Sequence, residues 1–305
     1  MNQVKKDMYI NLPTLDENVY GYGKQVARLA QLAHISGVLL DNADGEKKLS
    51  SVTIEICQTL HKHLSAYLSG RISDTLLFDA NFGGIVSKNG LVDSADDFGN
   101  GWYNDHLFHY GYIMYASAVL GKLNSTFVEE YGDAVDAIML DVAHNAHSES
   151  SKQDANGSNV KRHLFSLFGH KTKPTSNKDE NAEAFLPFTR HKSWYDSHSF
   201  ASGLFPFADG KSMESSTESI NCYYGSYLWS LVRWGPSSGK QKMASSKHKE
   251  DSNMVDFARL LLAMEIRGVK TYWHVANPTD GVDTQHDIDI YNPIFAKNMM
   301  VGNVG

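Results

Sequence analysis

The sequence predicts an all-α fold, an array or toroid of paired helices, and three observations lead there. Apolar residues recur at three- and four-residue steps through at least six segments of one to two dozen residues. Strand-like alternation is sparse, and proline occurs only seven times in 305 residues. The segments are joined by longer, polar loops, and no repeat of fixed period marks a simple solenoid.

In chain order, residues 24–40 place Val26, Leu29, Ala33 and Val38 on one stripe, and residues 51–69 do the same with Ile56, Leu60, Leu64 and Tyr67. Residues 106–121 are apolar almost all round, as an inner helix requires. Over 126–144, Phe127, Tyr131, Val135, Ile138, Met139 and Val142 form one face with acids on the other. Residues 217–234 (Tyr223, Tyr227, Leu231) and 253–267 (Phe257, Leu261, Met264) repeat the pattern. Two polar stretches, 148–181 and 236–252, are expected to be long exposed loops and not domain linkers, because helices of the same character follow them. The expected organisation is a single helical domain over 1–305.

Composition narrows the function classes. Hydrophobic residues make up 42% and charged residues 21%, an ordinary globular balance. A net charge of −7 gives no electrostatic reason to bind nucleic acid or an anionic membrane, and a monomer is expected. The start of the chain lacks the apolar core of a signal peptide, no run has the length of a membrane span, and the compartment is left open. The two cysteines, Cys57 and Cys222, lie far apart in apolar patterns and are expected as free thiols, with one bridge as the alternative. Aromatics at 11% suit a protein that stacks on sugar rings, although most will fill the core.

Three segments carry chemistry. In 97–112, DFGNGWYNDHLFHYGY, a glycine-marked turn leads to Asp105, with His109 four residues on. The plainer reading of Asp105 is a helix cap, worth about 1 kcal/mol. In 194–211, Trp194, Tyr195, Asp196 and His198 gather ring faces beside a carboxylate and an imidazole; a packed loop with a capping Asp is the plainer alternative. In 213–224, a helix would put Glu214 and Glu218 one turn apart on one face, where like charges repel. The competing reading is a surface pair favoured by the helix dipole.

The runs DFGNGWYNDHLFHYGY, HKSWYDSHSFASGLFPFADGKSMESSTESINCYYG, TYWH and AKNMMVGNVG resemble glycoside hydrolase family 81, the endo-β-1,3-glucanases, and are nearest its yeast-type members. The similarity runs in order over most of the chain and is weakest in the two polar loops. It implies an (α/α)6 toroid that hydrolyses β-1,3-glucan with inversion and needs no metal or organic cofactor. It implies Asp105 as the general acid, Glu214 (or Glu218) as the general base, and the other Glu as a second essential acid. Tyr103, His109, Trp194, Asp196 and His198 match cleft-lining positions, and Asn104 and Asn221 join them as candidate substrate-binding residues. Such an inverting pair sits about 6.5–9.5 Å apart, with room for water between.

The chain departs from the family pattern where Leu107 replaces the second His of a doublet and where Asp196 and Phe200 stand for Glu and Trp. The resemblance also implies a fragment with an incomplete toroid, without the family's β-sandwich and small α/β domain. That motivates a second reading, a non-catalytic β-glucan-binding remnant. A third, zinc-dependent hydrolysis, rests on His106/His109, His144/His147 and Asp196/His198, but no established ligand motif accompanies them.

Overall fold

The computed structural model describes residues 2–40, 49–79, 81–145, 186–205, 210–236 and 247–274. Helices dominate them: α1 (Asn2–Met8), α2 (Val19–Leu40), α3 (Ser51–Leu68), α4 (His106–Leu123), α5 (Ser125–Ala143), α6 (Ser216–Trp234) and α7 (Lys247–Tyr272). The all-α reading holds; four of the six expected helices match their predicted spans within two residues, and α2 starts five residues earlier than expected. The sixth, α7, starts at Lys247, six residues before the apolar stripe that suggested it. It therefore takes up part of the stretch 236–252 expected as loop. The expected loop 148–181 lies outside the described residues.

The helices pair in sequence as three antiparallel hairpins, α2–α3, α4–α5 and α6–α7. In the first, Tyr22 near the start of α2 donates its hydroxyl to the His63 carbonyl near the end of α3, at 2.9 Å. In the second, Asn124 ends α4 and caps α5, its Oδ1 accepting the N–H groups of Thr126 and Phe127 at 3.1 and 3.4 Å. In the third, Ser219 in the first turn of α6 donates to Glu265 near the end of α7, at 2.5 Å.

α2, α4 and α6 form the inner layer, with α4 between the other two. Nearly all of α4 is buried, as its uniform apolarity predicts. α4 and α6 run parallel and touch backbone to backbone. A Cβ on Gly111 would lie 2.7 Å from the Cα of Cys222, and one on Gly225 would lie 2.9 Å from the Tyr115 nitrogen. Around this contact Leu107, Ile113 and Met114 of α4 join Val26 and Leu29 of α2, Ile56 and Leu60 of α3, Ile138 and Val142 of α5, and Leu261 of α7 in one core.

Some details differ from the periodicity. Val38 is 52% exposed, off the stripe that Val26, Leu29 and Ala33 bury. α6 buries Cys222, Ser226 and Trp229 beside Tyr223, while Tyr227 and Leu231 are half-buried, because an inner helix is covered from more than one side. Two small antiparallel hairpins went unpredicted: β1 (Leu76–Asp79) with β2 (Gly84–Ser87), and β3 (Lys192–Ser193) with β4 (His198–Ser199). Their strands, of two to four residues, are too short for alternation to be read from sequence. Both cysteines are free thiols, with Cys222 buried and Cys57 half-buried. No described helix is long and apolar enough to cross a membrane.

Candidate active site

The site grows from a tight turn that feeds α4. Asp97, Phe98, Gly99, Tyr103 and Asp105 all have left-handed backbone, with φ of 47°, 57°, 83°, 66° and 59°. For the four residues that are not glycine this costs roughly 1–2 kcal/mol each, so surrounding structure must hold it. A loop from 200 to 204 does so. The Asp105 N–H donates to the Ala201 carbonyl and the Leu204 N–H to the Trp102 carbonyl, both at 2.9 Å. Asn104 Oδ1 accepts the Gly203 N–H at 2.6 Å. Gly203 is required by this approach, since a Cβ there would lie 2.1 Å from the Trp102 oxygen.

Asp105 stands at the N-cap position of α4 yet makes no capping hydrogen bond with its side chain. A capping residue has β-region backbone, whereas Asp105 lies at φ 59°, ψ 18°, so the cap reading fails on geometry. Its carboxyl is half-buried, and its pKa is raised to about 7. Burial is the main cause; the negative charges of Glu214, Glu218 and Asp97 add to it, and His109 opposes it. His109 is completely buried beneath the turn and does not line an open cleft. Its Nδ1 meets the Asp105 carbonyl at 2.7 Å and its Nε2 the Asp97 carbonyl at 2.9 Å.

The two glutamates reach Asp105 from the N-terminal end of α6, but not as two residues of one helix. α6 begins at Ser216, so Glu218 lies in its first turn and Glu214 precedes it in a bend. The expected one-turn spacing on a helix face is thereby corrected. Glu218 is half-buried, and its Oε1 accepts the hydroxyls of Tyr112 at 2.6 Å and Tyr20 at 2.8 Å. Burial works to raise its pKa, but the hydroxyls of Tyr112, Ser215 and Tyr20 and the charge of Lys24 outweigh it, so Glu218 sits below the usual glutamate range. Glu214 is exposed and makes no hydrogen bond to another described residue.

The remaining candidates fall elsewhere. Tyr103 is 1% exposed and donates to Asp79 Oδ2 at 2.8 Å, which commits it to supporting the turn and not to an open surface. Asn221 is half-buried on α6, three residues beyond Glu218. Trp194, Asp196 and His198 belong to the β3–β4 hairpin, which packs on α7, with no described contact to Asp105. Trp194 stacks on Phe188 at 5.0 Å between ring centroids and stays 37% exposed, while Asp196 is exposed at the hairpin tip. His198 is buried, and its Nε2 accepts from the Trp273 indole at 3.2 Å; burial holds its pKa down.

Two of the suggested zinc pairs do not assemble, since both His109 nitrogens face protein oxygens and His198 Nε2 accepts from Trp273; the third, His144/His147, includes a residue outside the described ones. Among the described residues His106, Asp141 and His191 bring donor atoms within 4.8 Å of one another. Most of those atoms are already engaged. His106 Nδ1 meets Asp141 Oδ2 at 2.5 Å, and its Nε2 faces the Asn100 carbonyl at 2.9 Å. Asp141 Oδ1 accepts the Ile85 N–H at 2.9 Å, with the Arg190 guanidinium 4.0 Å away. A cation would sit beside that guanidinium and displace a proton from His106. The cluster therefore serves as an ion-paired buttress under the turn.

Sequence reasoning missed Tyr20, Lys24, Asp97 and Tyr112. Tyr112 did leave a signal, since Asp105, His109 and Tyr112 fall on one helical face. Tyr20 left none, because it meets Glu218 across 198 positions.

Paired helices with carboxylates gathered where an inner layer begins define the described residues as an array of α/α hairpins with a candidate carboxylate site. The chain belongs to glycosyl hydrolase family 81: the family's C-terminal domain model matches residues 1–170 and 172–298. It is similar to a glucan endo-1,3-beta-D-glucosidase of Glycine max, 29% identical over 84% of this chain and 30% of that protein. The primary septum glucan endo-1,3-beta-D-glucosidase of Schizosaccharomyces pombe is 28% identical over 84% of this chain and 20% of its own length. In fold it is similar to a mutant form of a family 81 glycoside hydrolase from Clostridium thermocellum, with a TM-score of 0.60 at 19% identity, covering 99% of this chain and 32% of that one. The chain thus spans about 20–30% of the length of these curated relatives.

Proposed function

We propose that this site cleaves internal β-1,3-glucosidic bonds of a glucan with inversion, Asp105 acting as general acid and Glu214 as general base. The observation that carries the reading is the divergence of neighbouring carboxyls: Asp105 is raised to about 7 while Glu218 is held below its usual range. Environments that push carboxyl groups apart in this way equip one to give a proton and leave the other charged. The substrate class follows from the relatives, named as glucan endo-1,3-beta-D-glucosidases in soybean and fission yeast. Exposed aromatics beside the acid turn, Phe98, Trp102 and Phe205, offer faces on which sugar rings stack.

In this mechanism Asp105 passes its proton to the glycosidic oxygen as the bond to the anomeric carbon breaks. Glu214 takes a proton from a water that attacks that carbon on the opposite face. The new hydroxyl has the inverted, α configuration, and exchange with solvent returns the proton from Glu214 to Asp105. Glu214 suits the base role because it is exposed, whereas two tyrosine hydroxyls occupy one oxygen of Glu218 and weaken its basicity. Glu218 acts as a fixed negative charge that keeps Asp105 protonated until the leaving group needs it.

The test is hydrolysis of laminarin or curdlan followed by proton NMR. α anomers should accumulate first, and β anomers first would overturn inversion. Asp105→Asn and Glu214→Gln should each lower turnover by about 10²–10⁴-fold without unfolding the chain. A near-normal rate in either removes that residue from its role. Binding to insoluble glucan with no reducing sugar released would leave the non-catalytic binding remnant in its place.

A further inference from the structure

We propose that Asp97 is a positioning residue of this site, its buried carboxylate holding the His109 ring that grips the Asp105 carbonyl while also anchoring the helix whose Tyr20 binds Glu218. The proposal rests on Asp105 being the acid. Asp97 is 3% exposed and occupies the first left-handed position of the turn. Its Oδ2 lies 3.3 Å from His109 Nε2, which is also 2.9 Å from the Asp97 carbonyl. His109 Nδ1 lies 2.7 Å from the Asp105 carbonyl, which also receives the N–H groups of Phe108 and His109 at 2.8 and 2.9 Å.

Carbonyl and carboxylate oxygens only accept. Both ring nitrogens must therefore carry protons, and the fully buried His109 is an imidazolium. Burial opposes that charge, and the Asp97 carboxylate overcomes it as an ion-pair partner at 3.3 Å that makes no hydrogen bond through Oδ2, with Asp105 helping. On its other side, Asp97 Oδ1 accepts the Tyr20 N–H at 3.3 Å in the first turn of α2, and the Tyr20 hydroxyl reaches Glu218 at 2.8 Å. One carboxylate is thus a single bond or ring away from the supports of both the acid and its charged neighbour.

The titratable groups facing this pair are Asp96 and Asp105 in the turn, Tyr20 of α2, Tyr67 of α3, Asp74 in the segment before β1, and His106 and Tyr110 of α4. Glu214 and Glu218 couple to Asp105 from the α6 end. Asn at position 97 keeps the shape but removes the charge. His109 then gives up a proton and one of its two hydrogen bonds. Asp105 loses the His109 charge that opposes its upward shift and also the smaller upward push of Asp97 itself, so the net movement is upward.

In the full chain acting on laminarin, Asp97→Asn should lower kcat by about 10–100-fold with a much smaller change in KM. The alkaline limb of its pH profile should move up by about one pH unit. Nitrogen-15 NMR of the wild type should show His109 doubly protonated at pH 7, and neutral at the same pH in Asp97→Asn. A neutral His109 at pH 7 in the wild type overturns the proposal, and this holds even if the variant fails to fold. A folded Asp97→Asn with a lower rate but an unmoved alkaline limb also overturns it, by reducing Asp97 to a merely structural role. Asp105→Asn separates the two readings: if it keeps its activity, the assignment of the acid fails. If it is inactive while Asp97→Asn behaves as wild type, only the present proposal fails.

Discussion

Replacing Asp105 by Asn should make the folded chain more stable in alkaline solution while removing its activity. An aspartate whose carboxyl is raised from 3.8 to about 7 binds its proton more tightly folded than unfolded. Between those values the native state holds more protons than the unfolded state, so the stability of the wild type falls as pH rises through the window. About three pH units at about 1.4 kcal/mol each amount to roughly 4 kcal/mol, reached above pH 7 and absent below pH 4. Asn has no proton to lose, and it tolerates the left-handed backbone of this position. Urea unfolding of both proteins at pH 4, 6 and 8 measures the difference. The gain of Asp105→Asn should be near zero at the first pH, intermediate at the second and a few kcal/mol at the third. A gain that does not depend on pH, or a loss at pH 8, would refute the claim that this site holds a carboxyl against its preference to ionise.

Tyr112→Phe removes a hydroxyl that donates to Glu218, and should raise the Glu218 carboxyl, as followed by carbon-13 NMR. Because that carboxyl is held down when folded, the variant should also lose about 1.5 kcal/mol near neutral pH, a loss that fades as acid protonates Glu218. Lys192→Met strips the cation from a pair in which Lys192 and Glu265 are both buried and 2.6 Å apart. Leaving Glu265 unpaired should cost about 3–5 kcal/mol in chemical denaturation. Gly111→Ala forces a methyl against Cys222 and should cost at least about 1–3 kcal/mol by the same measurement.

The helices were legible because their burial is periodic. Leu29 and Ala33, or Phe127, Val135 and Ile138, are buried at the steps a helix imposes. The small hairpins were not, since two-residue strands such as Lys192–Ser193 leave no pattern to read. At the site, residue types suggested carboxylate chemistry, but spacing gave Asp105 the look of a cap and the glutamates that of a helical pair. What decides both points is backbone conformation: the left-handed angle at Asp105 and the start of α6 after Glu214. Neither is written in spacing. Trp194 and His198 were placed in the cleft by the family resemblance, and their hairpin sits against α7. The half-buried Tyr20 and the buried Asp97 depend on long-range packing and lay beyond a reading of local pattern.

The bare contact of α4 with α6 has a consequence for how such a site can change over time. With glycine at 111 and 225, backbone meets backbone at two points along the pair, so the separation of the two rods is set largely by the peptide chain itself. Substitutions elsewhere can alter what the surface grasps while the gauge between the two helix ends keeps its setting. To reset that gauge, a lineage or an engineer would have to slide one helix along the other by a whole register, and single replacements of moderate size offer no gradual route.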